Sequence, residues 1–594
     1  MNNIIAERIA LIRKNMAENG TDTYLLTKLN PHQSEYSKNN WNYVKYFSGF
    51  TGSAGAVVIT ADKAAFWTDG RYSLQSKNEL NGSEYIIYNT SDPGCVTYEN
   101  FITQNTKENG VVSFDERTLS VEGAKKLINI AVSRGIKYKS GVSIIEKSLL
   151  DIEAEAASES FIHDIKYCGL SRGDKLKQVR EKMTSIGANT YVISSLEDIA
   201  WLYNVRSKSE PTMSFDAYSI VTDEKAMLFM SKESAKPIKA ELMADNIEIY
   251  EYNEIYGYIP KNLDKTGSVV AFAPSKTCYA LYSVLNEFKT VEIVVDITSE
   301  FKTIKNKTEI ENTKRFSLID GASLVKFIIW VKEAAKTEKV TEYEAGKRLD
   351  EIRAGEEFFV RPSFSTILGY GSNGSIIHYR ADEAKSLVIK PEGFLLVDSG
   401  GNYLGATTDI TRTIVLGQLS DEMKNNFTLV LKSHIALAKA IFLKGTSGHY
   451  LDILARKPLW DNMLDYKHGT GHGIGFALSV HEGPQRIANQ ANNVPIMPGM
   501  LTSNEPGYYK DNEYGIRSEN IILAVEHGKS ESGEFYSFET ISFAPFDLEA
   551  VNKDLMTAEE ILRLNNYHNE VYEKLSPLLE ENEVRWLKEA TRSI

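Results

Sequence analysis

Three of the chain's ten histidines, His468, His472 and His481, fall within fourteen residues. The first two stand four apart in His468-Gly-Thr-Gly-His472-Gly-Ile-Gly, a spacing that on a helix would aim both rings at one metal ion. Glycine occupies 469, 471, 473 and 475, however, and each glycine costs a helix interior about 1 kcal/mol relative to alanine. The helical zinc motif also needs a glutamate directly after its first histidine, where this chain has Gly469. The stretch is therefore not helical, and His468 and His472 have different tasks. Taken singly, each histidine also fits an ordinary loop or strand position.

Carboxylates flank this cluster on two expected hairpins. Residues 391–417 read as an apolar strand ending at Asp398 and a turn through Ser399-Gly400-Gly401-Asn402. An alternating strand follows, on which Asp409, Thr411 and Thr413 share the face opposite Ile410, Arg412 and Ile414. In residues 497–526, Glu505 ends the first strand, Lys510-Asp511-Asn512-Glu513 form the loop, and Glu519 lies on the returning strand with Arg517, Ile521 and Leu523. Alone, Asp398 fits a turn-former and Glu519 fits a salt bridge to Arg517. Together they pose a stronger demand, because a carboxylate in a buried strand must be paired, protonated or metal-bound. Four carboxylates with one or two histidines make a hard, oxygen-rich set that suits manganese or a similar divalent ion. Four negative charges overload one divalent ion and balance two, so a dinuclear centre is expected.

The elements that must hold these residues come in two kinds. Residues 13–26 resemble residues 180–193 at constant offset, pairing Arg13 with Arg180, Met16 with Met183, Gly20 with Gly187 and Tyr24 with Tyr191. Both read as a helix, a glycine stop and an apolar strand, and residues 57–67 and 219–229 both read as strand, tight turn, strand. Two copies of one α/β unit therefore precede residue 305 or so. Beyond it, Lys307 to Lys336 reads as a long amphipathic helix, Thr341-Glu342-Tyr343-Glu344 as a capping box, and about 420–444 as a further helix. The tail, 555–594, reads as helical, with Trp586 and Leu587 as anchors.

Composition narrows the partners. With 42% hydrophobic and 25% charged residues the chain is globular. A net charge of −13 argues against nucleic acid and anionic membrane. Three widely spaced cysteines, Cys95, Cys168 and Cys278, neither frame disulfides nor ligate zinc. The N-terminus lacks a secretory pattern, and no window approaches the roughly 20 apolar residues of a membrane span. A cytoplasmic location is expected.

The motifs also resemble a known family. Residues 371–379, 395–413, 468–485, 504–509 and 515–520 look like the successive site motifs of the pita-bread metallopeptidases. Their order and spacing, with eleven residues from Asp398 to Asp409 and fourteen from Glu505 to Glu519, match aminopeptidase P. Residues 30–36, 48–60 and 67–72 resemble the first domain of the long, three-domain enzymes of that type; 197–206 resemble the second, and 586–591 the C-terminal extension. Prolidases and creatinases share the core without this extra domain and tail. The resemblance implies an α/β (α+β) chain with two creatinase-like domains in tandem, 1–165 and 166–305. A pita-bread catalytic domain, 306–594, would follow, extended from about 530.

By position, the resemblance makes Asp398, Asp409, His472, Glu505 and Glu519 the ligands of two divalent ions, with Asp409 and Glu519 bridging. Mn2+ is expected, with Co2+, Zn2+ or Fe2+ as alternatives. It places His378, His468 and His481 at the substrate and transition state, and Arg517 and Tyr509 in the pocket. The implied activity is removal of the first residue from short peptides with proline second, by hydroxide held between the ions. Glu505 would move the proton. Prolidase activity is the alternative among enzymes; a metal-free binding module is the alternative outside them, and competent residues at all five ligand positions speak against it. The resemblance also implies a homodimer. Departures from the pattern are Ser375, Ala406 and Ser518, and Ser207-Lys208-Ser209-Glu210 in the second domain.

Overall fold

The computed structural model describes residues 2–36, 38–150, 157–209 and 212–594. The chain forms two compact units, one of residues 1–162, 170–210 and 214–298, the other of residues 163–169, 211–213 and 299–594.

In the first unit the helix Asn2–Glu18 buries Ile5, Ile9, Ile12 and Met16, the stripe that their spacing predicts. The duplication is explicit in the sheets. One six-stranded sheet runs Tyr85–Asn89, Ala64–Thr68, Ala56–Thr60, Thr23–Thr27, Val111–Phe114, Lys137–Ser140. The other runs Ile247–Tyr250, Ala226–Met230, Ala217–Thr222, Thr190–Ile193, Val269–Phe272, Lys289–Glu292. Each has the same central antiparallel pairs and the same parallel outer strands. In the 207–210 departure, Ser207 closes the short strand Val205–Ser207, and Glu210 lies outside the described residues.

In the second unit, Asn306 and Glu309 box the start of helix Lys307–Thr337. Thr341 and Glu344 do the same for Glu342–Ala354, each satisfying donors that a bare helix end would leave unpaired. The helix expected over 420–444 spans Asp421–Ala438 and gives way to strand Ile441–Leu443. The tail forms helices Ala558–Leu575 and Glu581–Ala590, with Leu587 buried and Trp586 packed on the core.

The hairpins differ in detail from the expectation. Strand Phe394–Ser399 pairs with Ile367–Tyr370 on one side and Ile410–Val415 on the other. Between its two halves lies not a simple turn but a second small sheet, in which Gly401–Tyr403 pairs with Ala406–Thr407 and Phe359–Pro362. Residues 497–526 are likewise split. Leu501–Asn504 pairs with Asn520–Ser530 in a six-stranded sheet, whereas Gly507–Lys510 pairs with Tyr514–Arg517 in a separate ribbon closed by Asp511 to Glu513. Asp409, Glu505 and Glu519 therefore each fall just outside a strand, where the backbone passes from one sheet to another.

Candidate metal centre

The histidine stretch enters the six-stranded sheet as strand Gly471–Gly473, between Glu482–Ile487 and Leu501–Asn504. Its glycines are required by packing. A Cβ on Gly471 would lie 2.0 Å from the carbonyl oxygen of Ser503, and one on Gly473 would lie 2.4 Å from that of Glu482. The closeness is between strands, so only glycine lets the three backbones meet.

His472 is held by its neighbours with one nitrogen turned to the acids. Its Nδ1 is 2.9 Å from the Gly473 carbonyl oxygen, which fixes the proton on that nitrogen and leaves the Nε2 lone pair as a ligand. Nε2 lies 3.5 Å from Asp409 Oδ2 and 3.4 Å from Glu505 Oε1. Ligand atoms of Asp409, His472 and Glu519 all fall within 4.8 Å of one another. Glu519 is fixed by a 2.6 Å hydrogen bond from the Thr411 hydroxyl, and its amide donates to the Thr411 carbonyl at 3.2 Å. Ser503 donates to Glu505 at 3.1 Å, and the Glu505 amide donates to the Thr470 carbonyl at 2.8 Å. Asp398 stands across the sheet from Thr411.

Arg517 pairs with Asp398, at 2.6 Å through Nη2, and not with Glu519, so the salt bridge that was the alternative reading of Glu519 is not formed. The break in the strand at Ser518 turns Glu519 towards Thr411, and the guanidinium reaches across the ribbon instead. Its Nη1 donates to the Tyr509 hydroxyl at 2.6 Å, whose oxygen is also 3.0 Å from His468 Nε2. His468 is thus joined to Arg517 through the Tyr509 hydroxyl, and its Nδ1 lies 4.0 Å from Glu505 Oε2. The His481 ring meets His472 edge-on, with centroids 4.3 Å apart. His378 is half-buried in the turn after Gly371–Ser375, and the carbonyl of its neighbour Ile377 lies 3.5 Å from Arg517 Nη1.

The electrostatics are those of a carboxylate cluster short of cations. Burial, then the mutual repulsion of the acids, pushes Asp409 and Glu519 well above the usual carboxylate range. Burial likewise raises Glu505 to about 7 against the opposing pull of Arg517. Asp398 Oδ1 is buried with no hydrogen-bond partner. Raised acids around an orphaned oxygen are what divalent cations correct, and the donor set of four carboxylates and one imidazole fits oxygen-seeking ions.

Comparison with known proteins agrees with this geometry. Residues 311–526 match the model of metallopeptidase family M24, and 534–594 match the C-terminal region of that peptidase. Residues 8–147 and 151–309 each match a creatinase/prolidase N-terminal domain. Aminopeptidase P2 of Arabidopsis thaliana is 36% identical over 100% of this chain and 89% of its own length. The chain belongs to the aminopeptidase P group of metallopeptidase family M24. Xaa-Pro aminopeptidase 1 of Dictyostelium discoideum is 34% identical, covering 98% of this chain and 96% of the relative. The crystal structure of X-prolyl aminopeptidase from Caenorhabditis elegans, described as a cytosolic enzyme with a di-nuclear active site, aligns with a TM-score of 0.94. That alignment has 29% identity over 99% of this chain and 100% of that one. Xaa-Pro dipeptidase from Bacillus anthracis, at 22% identity and a TM-score of 0.50, shares the fold over 64% of this chain.

The sequence did not single out Thr411 as the hydroxyl that orients Glu519, or Ser503 as the one that orients Glu505. Thr411 was placed on the face of Asp409, and that shared face is the signal that finds it.

Proposed function

We propose that this protein is a metal-dependent Xaa-Pro aminopeptidase that removes the first residue from peptides with proline second. The observation that carries the reading is the convergence of Asp398, Asp409, His472, Glu505 and Glu519 in a chain whose full-length relatives carry that name. Those five residues are proposed to hold two divalent ions, with Mn2+ as the working metal. Such ions supply Lewis acidity at the scissile carbonyl and a water acidic enough to lose its proton near neutrality.

The side chains do the rest. Glu505, oriented by the Ser503 hydroxyl, is proposed to accept the water's proton and return it. The recipient is the proline nitrogen, which carries no hydrogen as an amide and must be protonated to leave. His378 and His481 are proposed as hydrogen-bond donors to the developing oxyanion. His468 and Tyr509 form the wall on the peptide side, and Arg517 holds Asp398 in place. Proline lacks an amide donor and has a fixed φ, so a pocket shaped for its ring discriminates at the second position.

Domain boundaries of 1–165, 166–305 and 306–594, with an extension from about 530, are part of the same proposal. A cytoplasmic location is supported by the description of the C. elegans enzyme as cytosolic; among the described residues no helix is long and apolar enough to cross a membrane. A homodimer is supported by an apolar face on the second unit. Strand Ile441–Leu443 and helix Gly448–Trp460 bury Phe442, Leu451 and Ala455 in one cluster, and leave Ile441, Leu443, Tyr450, Ile453, Leu454 and Trp460 exposed.

The test is to strip the protein with chelator, restore Mn2+, and offer Arg-Pro-Pro beside Xaa-Pro dipeptides. Release of free arginine that depends on the metal is expected. No release would overturn the activity, and cleavage of dipeptides alone would make it a prolidase.

A further inference from the structure

Arg412 is a buried cation whose hydrogen-bond acceptors are all neutral. Nε is 3.2 Å from the carbonyl oxygens of both Ala544 and Pro545. Nη1 donates to the carbonyls of Thr411 at 2.7 Å and Glu519 at 2.6 Å. Nη2 donates to Ala544 O at 2.7 Å, Asn520 Oδ1 at 2.9 Å and the Tyr567 hydroxyl at 2.8 Å. A guanidinium has five N–H donors in a rigid fork, so one that is buried ties together every backbone segment it touches.

Two of those segments carry the candidate metal site. Thr411 lies two residues from Asp409 and hydrogen-bonds the Glu519 carboxylate; Glu519 is itself a proposed ligand. By gripping both carbonyls with one nitrogen, Arg412 fixes the distance between the two segments from behind. A third contact comes from far along the chain. Tyr567, on helix Ala558–Leu575, accepts from Arg412 and from the Ala544 amide, the latter at 3.2 Å, and its own proton faces Ala544 O at 3.1 Å and Asn520 Oδ1 and Ser542 O at 3.3 Å. Its ring lies nearly parallel to Phe543 and packs on Phe546, over which the Arg412 guanidinium also sits. The ring is therefore held by packing, and the hydroxyl is free to act as a node in the hydrogen-bond network.

We propose that Tyr567 is a positioning residue for Glu519, acting through Arg412, so that helix Ala558–Leu575 is part of the scaffold of the metal centre. This rests on the reading of Glu519 as a metal ligand. Residues that orient a ligand from outside typically change metal affinity or activity by about 10- to 100-fold when altered.

The experiment uses the full-length protein, stripped of metal, with Mn2+ binding measured by equilibrium dialysis and elemental analysis. Tyr567→Phe keeps the ring and is expected to retain the wild-type circular dichroism while weakening the binding of one ion by about ten-fold or more. Tyr572→Phe, on the same helix, is expected to bind Mn2+ as the wild type does. Adding Tyr567→Phe to Arg412→Lys is expected to bring little loss beyond that of Arg412→Lys alone; fully additive losses would overturn the route through Arg412. If Arg412→Lys does not fold, Tyr567→Phe decides alone, and unchanged affinity in that variant overturns the proposal. Glu519→Gln separates the two levels. Full Mn2+ binding by that variant would remove Glu519 as a ligand, whereas lost binding there beside wild-type binding in Tyr567→Phe would remove only the role of Tyr567.

Discussion

The Nε2 atom of His468 lies 3.0 Å from the hydroxyl of Tyr509. Burial raises that phenol to about 12, so it keeps its proton at working pH, accepting from Arg517 while donating to His468. The Nδ1 of His468 faces its own Gly469 carbonyl oxygen at 2.7 Å, whereas the Nε2 of His472 faces Asp409 and Glu505. The same four-residue spacing thus ties the His468 ring to Tyr509, with its Nδ1 4.0 Å from Glu505 Oε2, and turns the Nε2 of His472 to Asp409 and Glu505.

His472→Ala should consequently lose metal together with activity, and His468→Ala should keep both ions and lose turnover by about 10²- to 10⁴-fold if it takes part in proton or hydrogen-bond chemistry. Metal content and kcat measured on the same preparations check this. Equal metal loss in the two variants would abolish the division of roles.

Acidity should couple to metal. Glu505 has its folded pKa raised from 4.5 to about 7, and Asp409 and Glu519 are likewise raised, well above the usual carboxylate range. An acid bound more tightly to its proton in the folded state favours folding below its unfolded pKa and loses that contribution as pH rises through the folded value. The metal-free protein should therefore melt at progressively lower temperature from about pH 4.5 to 7 and beyond. Ions compete for the same oxygens, so Mn2+ affinity should rise over this range with release of protons. Calorimetric titration at pH 6 in two buffers of different ionisation enthalpy measures that release; none would contradict the assignment of Glu505.

Glu482, directly after His481, is clamped in the interior between Lys302, at 2.9 Å, and Lys305. Glu482→Gln would remove the charge that both buried ammonium groups share, a change worth about 3–5 kcal/mol of stability. Denaturant unfolding of the metal-free forms reads this directly. A loss below about 1 kcal/mol would mean that the lysines are hydrated and the clamp is weak.

The proposed homodimer is tested at Trp460, 46% exposed on the apolar face of its helix. Trp460→Glu should yield monomers with unchanged circular dichroism where the wild type sediments as a dimer at micromolar concentration. A monomeric wild type would dismiss the dimer itself.

Much of this was legible in the sequence, because the signals were local. Periodicity found the long helices, offset self-similarity found the twin sheets, and the cost of glycine in helices kept His468 and His472 apart. What was hidden is long-range. Nothing near residues 399–402 announces that Phe359–Pro362 will pair there, and strand alternation carries no mark of where a chain leaves one sheet for another. Arg412 shares the strand face of Ile410 and Ile414, and that is the missed clue. A guanidinium on a buried face must find acceptors, and all but the neighbouring Thr411 carbonyl lie more than a hundred residues away, at 519, 520, 544, 545 and 567.

The breaks in the strands beside Asp409, Glu505 and Glu519 separate two engineering problems. Slipping a paired strand by one residue turns every side chain to the wrong face, so a ligand within a ladder can be adjusted only by disrupting a core. The proposed ligands at the gaps are free of that constraint. Their carboxylates can be re-aimed by altering the Thr411 or Ser503 hydroxyl that steers each one, which makes those two positions the natural adjusting points for anyone seeking to retune this centre for a different metal.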